Sequence, residues 1–152
     1  MWQAERMEIV DTDPDDHLAS FDDAEIREAM VVLDDVIVRA LSGRRRVLWT
    51  GVFWGGTDQT IIGYGHIVQP RPRGDDVEWF LVGLARQKST FSIYLNAAKD
   101  GSYLAHAYGD RLGKVKLGAA NISFRRLADI DLDVLAELLV EAHELTPADP
   151  NR

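Results

Sequence analysis

The sequence predicts an α+β domain: a mainly antiparallel, bent sheet of about five strands with N- and C-terminal helices packed on one face. Three observations carry this. Apolar residues recur at helical spacing towards both ends of the chain, at Ile26, Met30, Leu33, Ile37 and Leu41 and again at Leu132, Leu135, Leu138, Leu139 and Ala142. Between those stretches the pattern changes to β-branched and aromatic runs divided by turn residues. The 152 residues suit a single domain, about 100–200 being the usual range, and no internal repeat divides them. Residues 1–16 read as an acidic lead-in, 17–144 as the domain and 145–152 as a flexible tail.

In chain order, residues 9–16 (IVDTDPDD) are acidic and interrupted by Pro14. Ser20 or Asp22 then serves as N-cap of the first helix, accepting hydrogen bonds from its unpaired amides. Asp23, Glu25 and Glu28 suit the positive end of its dipole. Val31, Val32, Val36 and Val38 widen the apolar stripe and also suit a strand; length decides for helix, and Gly43 ends it. Strands are predicted over 46–54, 59–68, 77–85, 90–95 and 120–125. Residues 55–58 (GGTD) make the first two a hairpin, because Gly takes the positive φ of a tight turn. Residues 69–76 form a loop, since Pro70 and Pro72 have no amide to give to a ladder. Gly51, Gly63, Gly65 and Gly83 inside strand patterns mark bulges or close backbone approach, hence the expected bend. Residues 100–112 read as a short irregular helix with Leu104 and Tyr108 inward. Asp131 caps the last helix, and Pro147 and Pro150 stand in the tail.

Composition removes whole classes of function. With no Cys, thiolate metal sites, disulfide frameworks and cysteine nucleophiles are excluded. A formal charge of −8 disfavours bulk attraction to nucleic acid or anionic membrane. The start MWQAERME lacks the apolar run of a secretory signal, and no stretch reaches the ~18 apolar residues of a membrane span. A cytoplasmic location, as monomer or homodimer, is the expectation, with no DNA or RNA partner.

Motifs that would carry chemistry fail on specific residues. Asp11, Asp13 and Asp15 alternate like the start of a calcium loop with Asp22 in the twelfth position, but Asp16 stands where that loop needs Gly. His17, His66, His106 and His143 show no metal or triad spacing. His66 reads as a hydrogen-bonded half-core side chain, and His143 as a favourable charge at a helix C-terminus. Gly113-Lys114 is followed by Val115 rather than Ser or Thr, so no phosphate loop forms there. The nine aromatics on the strand runs read as core, not as a base-stacking platform. No catalytic residue is nominated. Basic side chains do gather at strand ends: Arg86 and Lys88 after the third strand, Lys114 and Lys116 in the loop, Arg125 and Arg126 after the fifth. Together with Tyr94, the residues Arg86, Lys88, Lys114 and Lys116 are the candidate site for a small anionic metabolite.

The runs LWTGVFWGG (48–56) with IIGYG (61–65), WFLVGLARQKSTFSIYL (79–95) and LGKVKLGAANISFRRLADIDLDVLAELL (112–139) resemble, in that order, the YdhG-like domain family of unknown function. These are small bacterial domains similar in outline to frataxin, and the resemblance covers about residues 17–144. It implies the same α+β arrangement and a frataxin-like iron-chaperone role, with Fe2+ or another divalent metal weakly held by acids of the first helix. On this chain those acids are Asp22, Asp23, Glu25, Glu28, Asp34 and Asp35. The chain departs from the family at Gly55-Gly56-Thr57, where a Gly-Met-Pro is typical, and at Ser89-Thr90, where a His is frequent. The leading expectation is therefore a non-enzymatic, weakly metal-binding domain. Its rivals are the basic anion site and a protein–protein adaptor.

Charge is also segregated along the chain. Residues 1–43 carry −9, residues 44–126 carry +7 and residues 127–152 carry −6. Basic strands between acidic helices leave room for an anion on one layer, a cation on the other, or attraction between the two.

Overall fold

A computed structural model describes residues 7–53, 57–69 and 76–150. The chain opens with a strand, β1 (Met7–Val10), and a one-and-a-half-turn helix, α1 (Pro14–Ala19). Asp13 caps α1, its carboxylate accepting from the Asp15 amide at 2.8 Å, and Pro14 fills the first turn, where a missing N–H costs nothing. The long helix α2 (Ala24–Ala40) follows, capped by Asp23 rather than by Ser20 or Asp22. Its buried face is Ala29, Met30, Leu33, Ile37 and Ala40, close to the stripe that the spacing predicts.

Then come β2 (Arg46–Phe53) and β3 (Thr57–Tyr64), antiparallel from Arg46↔Tyr64 to Phe53↔Thr57. The expected hairpin pairing is present; its turn at 54–56 lies outside the described residues, as do residues 70–75 of the expected loop. Two predicted strands are each broken in two. The run 59–68 stops at Tyr64 and resumes as β4 (Ile67–Gln69), and the run 77–85 divides into β5 (Val77–Trp79) and β6 (Val82–Arg86). Gly65, at φ 86°, turns the chain where few other residues could, and the Leu81 amide bonds the Tyr64 carbonyl at 3.0 Å across the paired bend. β4 and β5 thus form a separate two-stranded ribbon, which realises the predicted bend. β7 (Phe91–Leu95) leads to a small hairpin, β8 (Ala98–Lys99) and β9 (Ser102–Tyr103), then α3 (Leu104–Tyr108) and a 3-10 turn at Gly109–Leu112. Leu104 and Tyr108 are buried, as expected. β10 (Lys116–Leu117), β11 (Asn121–Phe124), a second 3-10 turn at Leu127–Asp129 and α4 (Leu132–Leu145) complete the fold.

The main sheet has seven strands in the order β1-β2-β3-β6-β7-β11-β10, every neighbouring pair antiparallel. Five strands were expected. The additional β1 and β10 are edge strands of four and two residues, too short for alternation to register in the sequence. β1 also corrects the expectation of an unpacked lead-in: Met7 is buried and pairs with Gly51. α2 and α4 cover one face of the sheet, over Leu48, Ile62, Leu84, Ile93, Ile122 and Phe124. A second, smaller core lies on the opposite face, where the ribbon brings Trp79 and its neighbour Phe80 onto Trp49, Ile61 and Ala85. No helix among the described residues is long and apolar enough to cross a membrane.

The described part of the tail is clasped rather than frayed. The Arg44 side chain, 3% exposed, donates to the carbonyls of His143, Thr146 and Pro147, to His143 Nδ1 at 2.8 Å and to the Asp149 carboxylate at 3.0 Å. Asp149 also accepts from the backbone amides of Arg45 at 2.7 Å and His66 at 2.9 Å. Partial burial opposes the Asp149 charge, but the two amides and the Arg44 guanidinium outweigh it and hold its carboxyl below the usual aspartate value. A lowered folded-state value means that the ionised clasp stabilises the fold above the ordinary carboxylate range and stops doing so as the pH falls through the lowered value. Asp149→Asn is therefore expected to cost about 1–2 kcal/mol at neutral pH and progressively less as the pH falls from the ordinary aspartate value through the lowered one. Thermal melts of both proteins across that range check it.

Candidate functional site

A concavity lies at the sheet end where β6 stops, β7 starts and β11 runs into the second 3-10 turn. Both long helices begin at the same place, so their first turns form one wall of a groove of about 1030 Å³. Asp23 Oδ1 accepts from the amides of Glu25 (2.9 Å) and Ile26 (3.1 Å), and Asp131 Oδ1 from those of Asp133 (3.0 Å) and Val134 (3.1 Å). Both N-terminal amide crowns are thus capped from within the chain and are not free to receive an external anion. The floor is apolar, built by Ile26, Phe91, Leu127, Ile130 and Leu132. Phe91 stacks on Phe124 with ring centroids 5.7 Å apart, which fixes its ring under the groove.

The charges divide into two groups. Arg86, Arg125 and Arg126 come from the sheet and the 3-10 turn; Glu25, Glu28 and Asp133, with the capping Asp23 and Asp131, come from the helix starts. None of these eight is in an ion pair among the described residues, and Arg86 lies over the Phe91 ring, Cζ to centroid 4.7 Å. Three unneutralised guanidiniums beside an apolar floor can supply charge-assisted, fork-like hydrogen bonds to a carboxylate or phosphate. The acids of the same lining can receive a cationic group.

Of the expected anion residues, only Arg86 lines this groove. Lys88 joins Arg86 in a neighbouring cavity of about 630 Å³ with His17, Phe21, Asp58 and Gln59. Tyr94 shares the opposite face of the sheet with the Trp49 core, its hydroxyl accepting from Gln87 Nε2 at 2.8 Å, and burial raises its pKa. Lys114 is anchored through its amide to the Asp129 carbonyl, and Lys116 is exposed on the edge strand β10. Arg125 and Arg126 take the places that Lys114 and Lys116 were expected to fill. Their signal was visible as two adjacent arginines leaving a strand, but only the approach of α2 and α4 turns that strand end into a groove.

The six acids considered for metal do not converge. Asp23 is a cap, Glu25 and Glu28 line the groove, and Asp22 is exposed before the helix. Asp35 pairs with Arg39 one turn on, at 3.0 Å. Asp34 is bound on both oxygens by Arg46, each at 3.0 Å, and accepts the Tyr64 hydroxyl at 2.7 Å. Arg46 reaches Asp15 as well, at 2.8 Å. Burial works against the Arg46 charge, but Asp34 and Asp15 more than compensate and raise its pKa; burial, reinforced by Asp34, pushes the Tyr64 phenol well up. This network ties α2 and α1 to the sheet. Among the described residues, no group of three or more His, Asp or Glu is placed to share one cation.

The chain matches no family model, no curated protein and no solved structure. His66 is buried, with Nε2 2.6 Å from Glu78 Oε1, and His106 bonds the Gly118 carbonyl at 2.8 Å. Both of these rings are thus held by a local contact. His143 is an acceptor through Nδ1 in the Arg44 clasp, in place of the helix-end charge that was expected of it.

Proposed function

We propose that this chain is a binding domain, without catalysis of its own, that recognises an anionic group through Arg86, Arg125 and Arg126 at the α2–α4 groove. One observation carries the reading: three arginines line the groove beside apolar residues, and none forms an ion pair with a carboxylate of the described residues. Within a fold, arginines gathered without partners retain their capacity for paired hydrogen bonds, and the floor beside them favours an anion with an apolar body.

Calorimetric titration with phenylacetate, citrate and inorganic phosphate at matched ionic strength tests the proposal. Phenylacetate is expected to bind best, and Arg125→Gln with Arg126→Gln to weaken it by about tenfold, equivalent to about 1.4 kcal/mol. Lys116→Gln, remote on the edge strand, is expected to leave it unchanged. Equal binding by the double variant, or no heat from any of the three probes, overturns the reading.

A further inference from the structure

Three features limit what can occupy the groove, given the binding reading above. Its volume of about 1030 Å³ lies at the top of the ~300–1,000 Å³ range of small-molecule sites, so a compact metabolite would leave much of it open. Its lining carries both signs of charge, Arg86, Arg125 and Arg126 together with Asp23, Glu25, Glu28, Asp131 and Asp133 of the helix starts, none of them in an ion pair of the described residues. A uniformly anionic polymer would gain the arginines and be repelled by the glutamates; a uniformly cationic one would meet the reverse. In the same lining the half-buried Ile26, Leu127 and Leu132 offer apolar surface to an apolar side chain, while Phe91 is buried beneath Arg86 and Phe124. Anionic group, apolar group and cationic group on one connected ligand is the description of a polypeptide segment.

We infer that the groove docks a segment of a partner protein that carries an acidic residue, an apolar residue and a basic residue in close succession. The acidic residue is taken by Arg125 and Arg126, the apolar one by Ile26, Leu127 and Leu132, and the basic one by Glu25 and Glu28. Partners are discriminated by repulsion as much as by attraction, because a segment of either single charge meets like charges in the lining.

Selection from a random peptide library displayed on phage tests this directly. The protein is expected to enrich peptides in which acidic and basic residues flank an apolar one. Arg125→Glu with Arg126→Glu should remove the acidic preference, and Glu25→Lys with Glu28→Lys the basic one, while circular dichroism shows both variants folded. The neutral variants Arg125→Gln/Arg126→Gln and Glu25→Gln/Glu28→Gln, which perturb the helix start less, should each weaken a selected peptide about tenfold. No enrichment, enrichment of a single charge sign, a preference that survives charge reversal, or tighter binding of a single-stranded oligonucleotide than of the selected peptides would each overturn the inference. If phenylacetate still binds in an arginine-dependent way, the failure belongs to the peptide inference alone; if it does not, the binding reading falls with it.

Discussion

Asp34→Ala is expected to lower the unfolding free energy by about 3 kcal/mol, because it strands two partners at once. The Arg46 guanidinium loses a bidentate carboxylate, keeping only its bond to Asp15, and the fully enclosed Tyr64 hydroxyl loses its acceptor. Asp34 itself is only 14% exposed, so water replaces it poorly. In a chain of this size the melting temperature should fall by about 6–12 °C, and urea unfolding should show a lower midpoint with little change in slope. Asp34→Asn keeps one acceptor and should cost less. A midpoint within about 0.5 kcal/mol of the parent for the alanine variant would mean that the network is replaceable by water, contrary to its geometry. The same result bears on iron binding: a metal response lost with Asp34 would report a weakened fold before it reported a lost ligand.

Phe80→Ala is expected to be the larger effect on the opposite face of the sheet, about 3–5 kcal/mol. Its ring stacks on Trp79 at 4.2 Å between centroids, lies 6.0 Å from Trp49 and is fully buried. It also lies directly over Gly83: a Cβ added there would stand 2.6 Å from the Phe80 ring and 2.9 Å from Ile61. Gly83→Ala alone should therefore cost about 1–3 kcal/mol by overpacking. The two changes should not add. Removing the ring vacates the space that the new methyl needs, so the double variant should be more stable than the sum of the singles by about 1 kcal/mol or more. Strict additivity in chemical denaturation would show that Gly83 is not held to glycine by Phe80.

The helices and the candidate site were legible to different degrees, for one physical reason. Ile26, Met30, Leu33 and Ile37 repeat on a 3.6-residue period, and Asp131 stands before a run of leucines, so α2 and α4 declare themselves from local pattern. The strands were equally local in their β-branched and aromatic content, but their interruptions were not. Whether residues 59–68 make one strand or two depends on Gly65 and on a hydrogen bond between Leu81 and Tyr64, seventeen positions apart. The same holds for the clasp, in which Arg44 meets Asp149 across more than a hundred residues.

The site shows the division most sharply. That the chain separates acidic helices from basic strands was readable from charge along the sequence, as were the cap at Asp131 and the paired arginines at 125 and 126, whereas the first helix is capped by Asp23 and not by Ser20 or Asp22. Which acids are spent and which are available was not. Asp34 and Glu28 are alike in sequence, yet one is consumed by Arg46 and Tyr64 and the other faces an open groove. By itself, then, the sequence determined the α+β class, the two helices and the layering of charge, because propensity, periodicity and capping act within a few residues. Only the tertiary structure decided the seven-strand order, the ribbon, the clasp and the groove. Each of these arises where residues remote in sequence come within hydrogen-bonding or packing range, and no local pattern records those distances.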